Sequence, residues 1–151
     1  MSRSEVTTSI EIDAPPAEVW AVVMDPLRLR DWVTIQRKLH EASPGPPRVG
    51  ATMRQTMVLR GAPFEVRWEL EACEAPYHAD WAGKGPARSK ARTEYRLSGL
   101  DGDTRTRFDY RNDFQAPFGP LGAVASRALV GGLPRQEAER SLQRLKALVE
   151  G

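Results

Sequence analysis

Residues 104–114, Thr-Arg-Thr-Arg-Phe-Asp-Tyr-Arg-Asn-Asp-Phe, decide the fold. In an extended chain Thr106, Phe108, Tyr110, Asn112 and Phe114 share one side, and Arg105, Arg107, Asp109, Arg111 and Asp113 share the other. Period-two alternation of this kind marks a strand with one face in water. The segment before it, Arg88 to Leu100, runs into Asp101-Gly102, a dipeptide that favours a tight hairpin turn. The two segments are therefore expected to pair antiparallel. Farther upstream, Phe64, Val66, Trp68, Leu70 and Ala72 alternate with Glu65, Arg67, Glu69 and Glu71. A sheet with one charged and one apolar face follows, and the charges on 65–71 and 105–113 are expected to pair across strands.

Working outward, further strands are expected over 6–12, 35–42, 50–59 and 77–82. Ser43–Pro47 is a loop, Arg60–Pro63 a turn and Gly83-Lys84-Gly85-Pro86 a flexible loop. After Asp13-Ala14-Pro15-Pro16 a short helix carries Val19, Trp20 and Val23 on one face, with Pro16 in its first turn and Glu18 near its positive end. Asp25-Pro26 ends it, and a second short helix covers Leu27 to Trp32. Beyond the loop at Ala116–Pro120 the chain reads as helix, with Ala138, Leu142, Leu145 and Val149 forming an apolar stripe. Gly131-Gly132-Leu133-Pro134 is expected to break or kink it. The order is strand, two helices, six strands, long helix. Short turns between successive strands imply an antiparallel sheet, and the C-terminal helix is the element long enough to cover its apolar face. The fold class is α+β, with residues 1–151 as one domain.

Composition narrows the functions. Of 151 residues, 40% are hydrophobic and 28% charged, the balance of a globular chain, and the net charge of +2 comes from bases interspersed with acids. No clustered basic stripe suited to nucleic acid results. Cys73 is the single cysteine, which excludes an internal disulfide and a cysteine-based zinc site. His40 and His78 stand in no metal-ligand spacing, and there is neither a Gly-x-Ser-x-Gly elbow nor a phosphate-binding loop. His78 and Asp80 share a strand face, either as an acid–base pair or as an exposed strand edge. The polar start, Met1 to Val6, lacks an apolar signal core, so a cytoplasmic protein without a transmembrane segment is expected.

The uncharged sheet face holds unusual members. Gln55, Tyr95, Tyr110 and Asn112 fall in register with Met53, Met57, Trp68, Leu97 and Phe108. Aromatic walls with a few polar groups are how small-molecule sites are lined. The alternative is an ordinary core in which these groups satisfy one another. The candidate ligand-binding residues are Met53, Gln55, Met57, Trp68, Trp81, Tyr95, Phe108, Tyr110, Asn112 and Phe114. Trp81 borders the glycine loop and is placed at the cavity mouth, whereas Trp20 and Trp32 are read as packing residues.

Several strings carry a family resemblance: Ile10-Glu11-Ile12-Asp13-Ala14-Pro15-Pro16-Ala17-Glu18-Val19-Trp20, then Asp25-Pro26, Trp32, Val49-Gly50-Ala51-Thr52, and Leu142-Gln143-Arg144-Leu145-Lys146-Ala147-Leu148. Together they resemble the START/Bet v1-like (SRPBCC) superfamily, in particular its polyketide cyclase/dehydrase and lipid-transport branch. The resemblance implies the helix-grip fold, a curved seven-stranded sheet around the last helix with a cavity between. Three functions remain in view. One is a carrier or sensor of a small hydrophobic, aromatic or lipid-like molecule. Another is a polyketide cyclase or aromatase in which Tyr110, Tyr95 or Asn112 polarises carbonyls. A module whose helix meets a protein or membrane through Arg135, Arg140 and Arg144 is the third. No cofactor, metal or nucleic acid is expected, and the chain is expected to be a monomer or homodimer.

Overall fold

The computed structural model describes residues 3–115 and 133–151. Strand β1 (Arg3–Ile12) leads into helix α1 (Pro16–Val23), a single 3-10 turn at Pro26–Arg28 and helix α2 (Leu29–Trp32). Six strands follow: β2 (Gln36–Ala42), β3 (Thr52–Leu59), β4 (Ala62–Glu74), β5 (His78–Lys84), β6 (Lys90–Leu100) and β7 (Arg105–Gln115). Helix α3 (Leu133–Glu150) closes the chain. One sheet holds all seven strands in the order β1-β7-β6-β5-β4-β3-β2. Every pairing is antiparallel.

The local chemistry explains the breaks. Pro16 opens α1 where a missing N–H costs nothing, and Val19, Trp20, Val22 and Val23 bury its inner face. The Asp25 carboxylate accepts the Leu27 N–H at 3.0 Å and caps the 3-10 turn. Between β3 and β4 only Arg60 and Gly61 turn the chain, at φ 49° and 74°, the left-handed pair that suits a two-residue hairpin. The β6–β7 hairpin is longer than the expected two-residue turn. Asp101, Gly102 and Asp103 all have positive φ, and Thr104 N–H donates to Leu100 O at 3.1 Å. Aspartate tolerates the left-handed region, so the turn extends over four residues.

Gly83 and Lys84 belong to β5 and not to the expected loop; Gly83 pairs with Trp68 on β4 and Ala91 on β6. Pairing on both sides overrides the weak strand preference of glycine, and the position has a steric reason. A Cβ on Gly83 would lie 2.7 Å from the Trp68 ring.

On the outer face, β4 and β7 are separated by β5 and β6, so the charges of 65–71 and 105–113 do not pair with one another. They pair with nearer strands. Arg54 bridges Glu41 and Glu65, Arg92 bridges Glu71 and Asp80, Arg105 meets Glu11, and Arg111 meets Glu5. Exposed pairs of this kind stabilise weakly.

Helix α3 lies across the concave face with Ala138, Ser141, Leu142 and Leu145 buried. It is continuous from Leu133 to Glu150 and takes Pro134 into its first turn; Gly131 and Gly132 of the expected kink lie outside the described residues. Two side chains of α3 reach the edge strand. Arg135 donates to Thr7 O at 3.2 Å and Lys146 to Glu11 O at 2.9 Å. Occupied carbonyls blunt an edge against further strand pairing. No helix among the described residues is long and apolar enough to cross a membrane.

Candidate functional site

The space under α3 divides in two along the strands. At one end it is solid. Ile12, Val19, Leu70, Phe108, Leu142 and Leu145 have essentially no exposed surface. There Trp32 meets Phe108 edge-on with ring centroids 6.2 Å apart. Toward the other end a cavity of about 250 Å3 remains. Strand β3, the start of β4, Trp81 of β5, the start of β6, the end of β7, the segment around Val33–Ile35 and the first turns of α3 surround it.

Nine of the ten candidate residues line this cavity: Met53, Gln55, Met57, Trp68, Trp81, Tyr95, Tyr110, Asn112 and Phe114. Phe108 does not. It shares the face of Tyr110 but sits one pleat deeper, stacked against Tyr110 at 6.1 Å and sealed beneath Trp32. Trp81 is buried in the middle of the sheet, opposite Leu70 and Thr93, and not at a glycine loop. His78 and Asp80 lie in an interior strand, so neither forms a sheet edge, and they do not bond to each other. His78 bonds to Glu74 and Glu94, and Asp80 to Arg92.

The polar groups of the wall form two chains. In the first, Trp68 Nε1–H donates to Gln55 Oε1 at 2.7 Å, and the Gln55 amide donates in turn to Gln36 Oε1. In the second, Thr93 Oγ1–H donates to Asn112 Oδ1 at 2.7 Å across the β6–β7 pair. Asn112 stands two residues from Tyr110 on the same face of β7. Burial pushes the Tyr95 phenol well above its ordinary pKa, helped by neighbouring Tyr110. Burial raises Tyr110 as well, against the opposing pull of Asn112. Both hydroxyls therefore stay protonated and present donors.

Alternation would also have found Thr93, two residues before Tyr95. Glu137 and Ser141 were missed, although they continue the Leu145 face of α3 at intervals of four. They bind the loop after α2: Thr34 N–H donates to Ser141 Oγ at 3.0 Å, and the Thr34 hydroxyl donates to the Glu137 carboxylate. Ser89 lies just outside β6 and breaks no pattern in the sequence. Its Oγ is buried in the lining with no partner among the described atoms. No group of three His, Cys, Asp or Glu side chains among the described residues could hold a metal ion.

A curved antiparallel sheet gripping a C-terminal helix over a lined cavity defines a helix-grip protein. The chain belongs to the Polyketide cyclase / dehydrase and lipid transport family, whose model matches residues 3–150, and so to the START/Bet v1-like superfamily. Toxin Rv0910 of Mycobacterium tuberculosis is 23% identical over 148 residues, covering 98% of this chain and 99% of that protein. Among solved structures, the Zhui aromatase/cyclase from Streptomyces sp. R1128 superposes with a TM-score of 0.79 at 18% identity, over 99% of this chain and 94% of that one. TTHA0849 from Thermus thermophilus gives 0.76 at 20% identity, over 97% of each chain. At such identities the structural likenesses concern the fold.

Proposed function

We propose that this chain binds a compact, largely apolar molecule in the cavity beneath α3 and carries or senses it unchanged. One observation carries the reading: an interior space of about 250 Å3 with apolar walls, into which already hydrogen-bonded amides and protonated phenols project. Such a wall orients a ligand, and its two carboxylates are already engaged, Glu137 by Thr34 and Asp113 by Arg111. The volume lies just under the roughly 300–1,000 Å3 of pockets that take drug-sized ligands, which favours a ligand of one to three rings over a long acyl chain.

A cyclase acting on a bound poly-ketone is the second reading. It is favoured by the hydrogen-bonded Thr93–Asn112 pair beside the Tyr110 phenol on the cavity wall, and by the likeness to an aromatase/cyclase fold. The partner-module reading is weakened at Arg135, which donates to Thr7 O, while Arg140 and Arg144 remain exposed.

The test incubates the purified chain with naphthol- and anthrone-like probes and reads melting temperature and mass spectra together. A carrier raises its melting temperature and returns the probe unchanged. The absence of any stabilisation by probes of this size ends the binding reading. A new product with a poly-ketone probe, lost in Tyr110→Phe, replaces it with the cyclase.

A further inference from the structure

The cavity wall is uneven in charge. Among the described lining residues two are carboxylates, Glu137 and Asp113, and none is Lys, Arg or His. Six are aromatic, Trp68 and Trp81 among them. Glu137 is fixed in place: one carboxylate oxygen accepts from the Thr34 hydroxyl and the other lies 3.4 Å from Arg140. The Arg140 side chain is 70% exposed, so its charge is spread into water rather than into the cavity. Asp113 borders the cavity from the outer register of β7, where it meets the exposed Arg111 at 3.3 Å, so Glu137 is the carboxylate a ligand would face.

We infer that this cavity sorts ligands by charge, accepting neutral or amine-bearing aromatic molecules and refusing carboxylates, free fatty acids included. The inference rests on the cavity being the binding site. A carboxylate placed there would lose its hydration and gain no cation from the described wall. It would face the Glu137 carboxylate and the electron-rich faces of aromatic rings, across a medium that screens poorly. An ammonium group reverses each sign: ring faces attract it, and Glu137 offers a counter-charge already held by Thr34. A neutral alcohol needs only a hydrogen bond from a phenol or amide on the wall.

The test uses three molecules of one shape: 2-(2-naphthyl)ethylamine, 2-(2-naphthyl)ethanol and 2-naphthylacetate. Each is titrated calorimetrically into the full chain at neutral pH and low salt. The alcohol and the amine bind, and the carboxylate is weaker than the alcohol by about tenfold or more, the scale expected for an unpaired charge entering a partly buried site. In Glu137→Gln the amine loses roughly fivefold relative to the alcohol. A carboxylate that binds as tightly as the alcohol overturns the charge rule and leaves the cavity reading standing. Failure of all three to bind overturns both. The ranking on the unsubstituted chain decides the matter alone, should Glu137→Gln fail to fold.

Discussion

Trp68 on β4 and Gln55 on β3 are diagonal neighbours, Trp68 opposite Met53 and Gln55 opposite Val66, and the indole N–H donates to the amide oxygen at 2.7 Å inside the core. Gln55 is 3% exposed and passes the bond on to Gln36. A buried amide between two partners is held in one orientation, and it holds the indole against the sheet. Gln55→Leu keeps the volume and orphans both neighbours. The expected loss is about 1–3 kcal/mol of unfolding free energy, the cost of leaving a buried donor or acceptor unmet. Urea denaturation followed by tryptophan fluorescence measures it. A variant as stable as the parent would show that water replaces the lost bonds.

Gly83 is the steric partner of that tryptophan. An added Cβ would meet the Trp68 ring at 2.7 Å and Val66 Cγ1 at 2.8 Å, both inside contact distance. Gly83→Ala therefore pushes the indole away from β5, at a cost of about 1–3 kcal/mol for overpacking. Combining it with Trp68→Phe, a smaller ring, recovers part of that loss. The double-mutant cycle reads the coupling directly, and strict additivity of the two changes would disprove the contact.

The sheet was legible because its signal is local. Alternation in 64–70 and 105–114 follows from one face in water and one in the core, and the structure keeps both; past Leu70 a bulge turns the expected pattern, so Ala72 stands opposite the outward Asp80 and Cys73, opposite buried Ala79, packs on the core instead. What the sequence could not carry was depth. Phe108 and Tyr110 present the same pattern, yet one seals the solid end and the other lines the void, because depth depends on where α3 and Trp32 press on the sheet. Strand neighbours were equally hidden. The charges of β4 and β7 look complementary on paper, but β5 and β6 lie between them. Glu137, Ser141 and Thr34 meet across more than a hundred residues, and no short-range pattern reports such a meeting.

Alkaline pH tests the environment of the tyrosines. Tyr95 and Tyr110 are both raised above the ordinary value of 10.0, chiefly by burial. The unfolded chain releases these protons near that value while the folded chain still holds them. Their contribution to stability is thus fully present below about pH 10 and is lost as pH rises through the folded values. Unfolding free energy measured at steps from neutral to strongly alkaline pH should fall steeply above about pH 10. In Tyr95→Phe that slope is shallower, since one group no longer titrates. An unchanged slope would mean that Tyr95 ionises in the folded chain as it does in water.

The boundary between the void and the solid end predicts two opposite phenotypes. Ala138 is buried on α3 and lines the cavity, whereas Phe108 is fully buried and does not. Ala138→Leu adds three carbons into open space. Burying them is favourable by about 0.8 kcal/mol per methylene-sized group at most, so the melting temperature holds or rises while probe affinity drops at least about tenfold. Phe108→Leu removes ring atoms from a close-packed layer and leaves a gap beneath Trp32. It lowers stability by about 1–3 kcal/mol, between a shape change and a full truncation, and leaves the affinity for the same probe nearly as it was. Melting curves and calorimetric titrations on the two variants separate these outcomes. Loss of affinity in Phe108→Leu with retention in Ala138→Leu would place the ligand at the other end of the sheet.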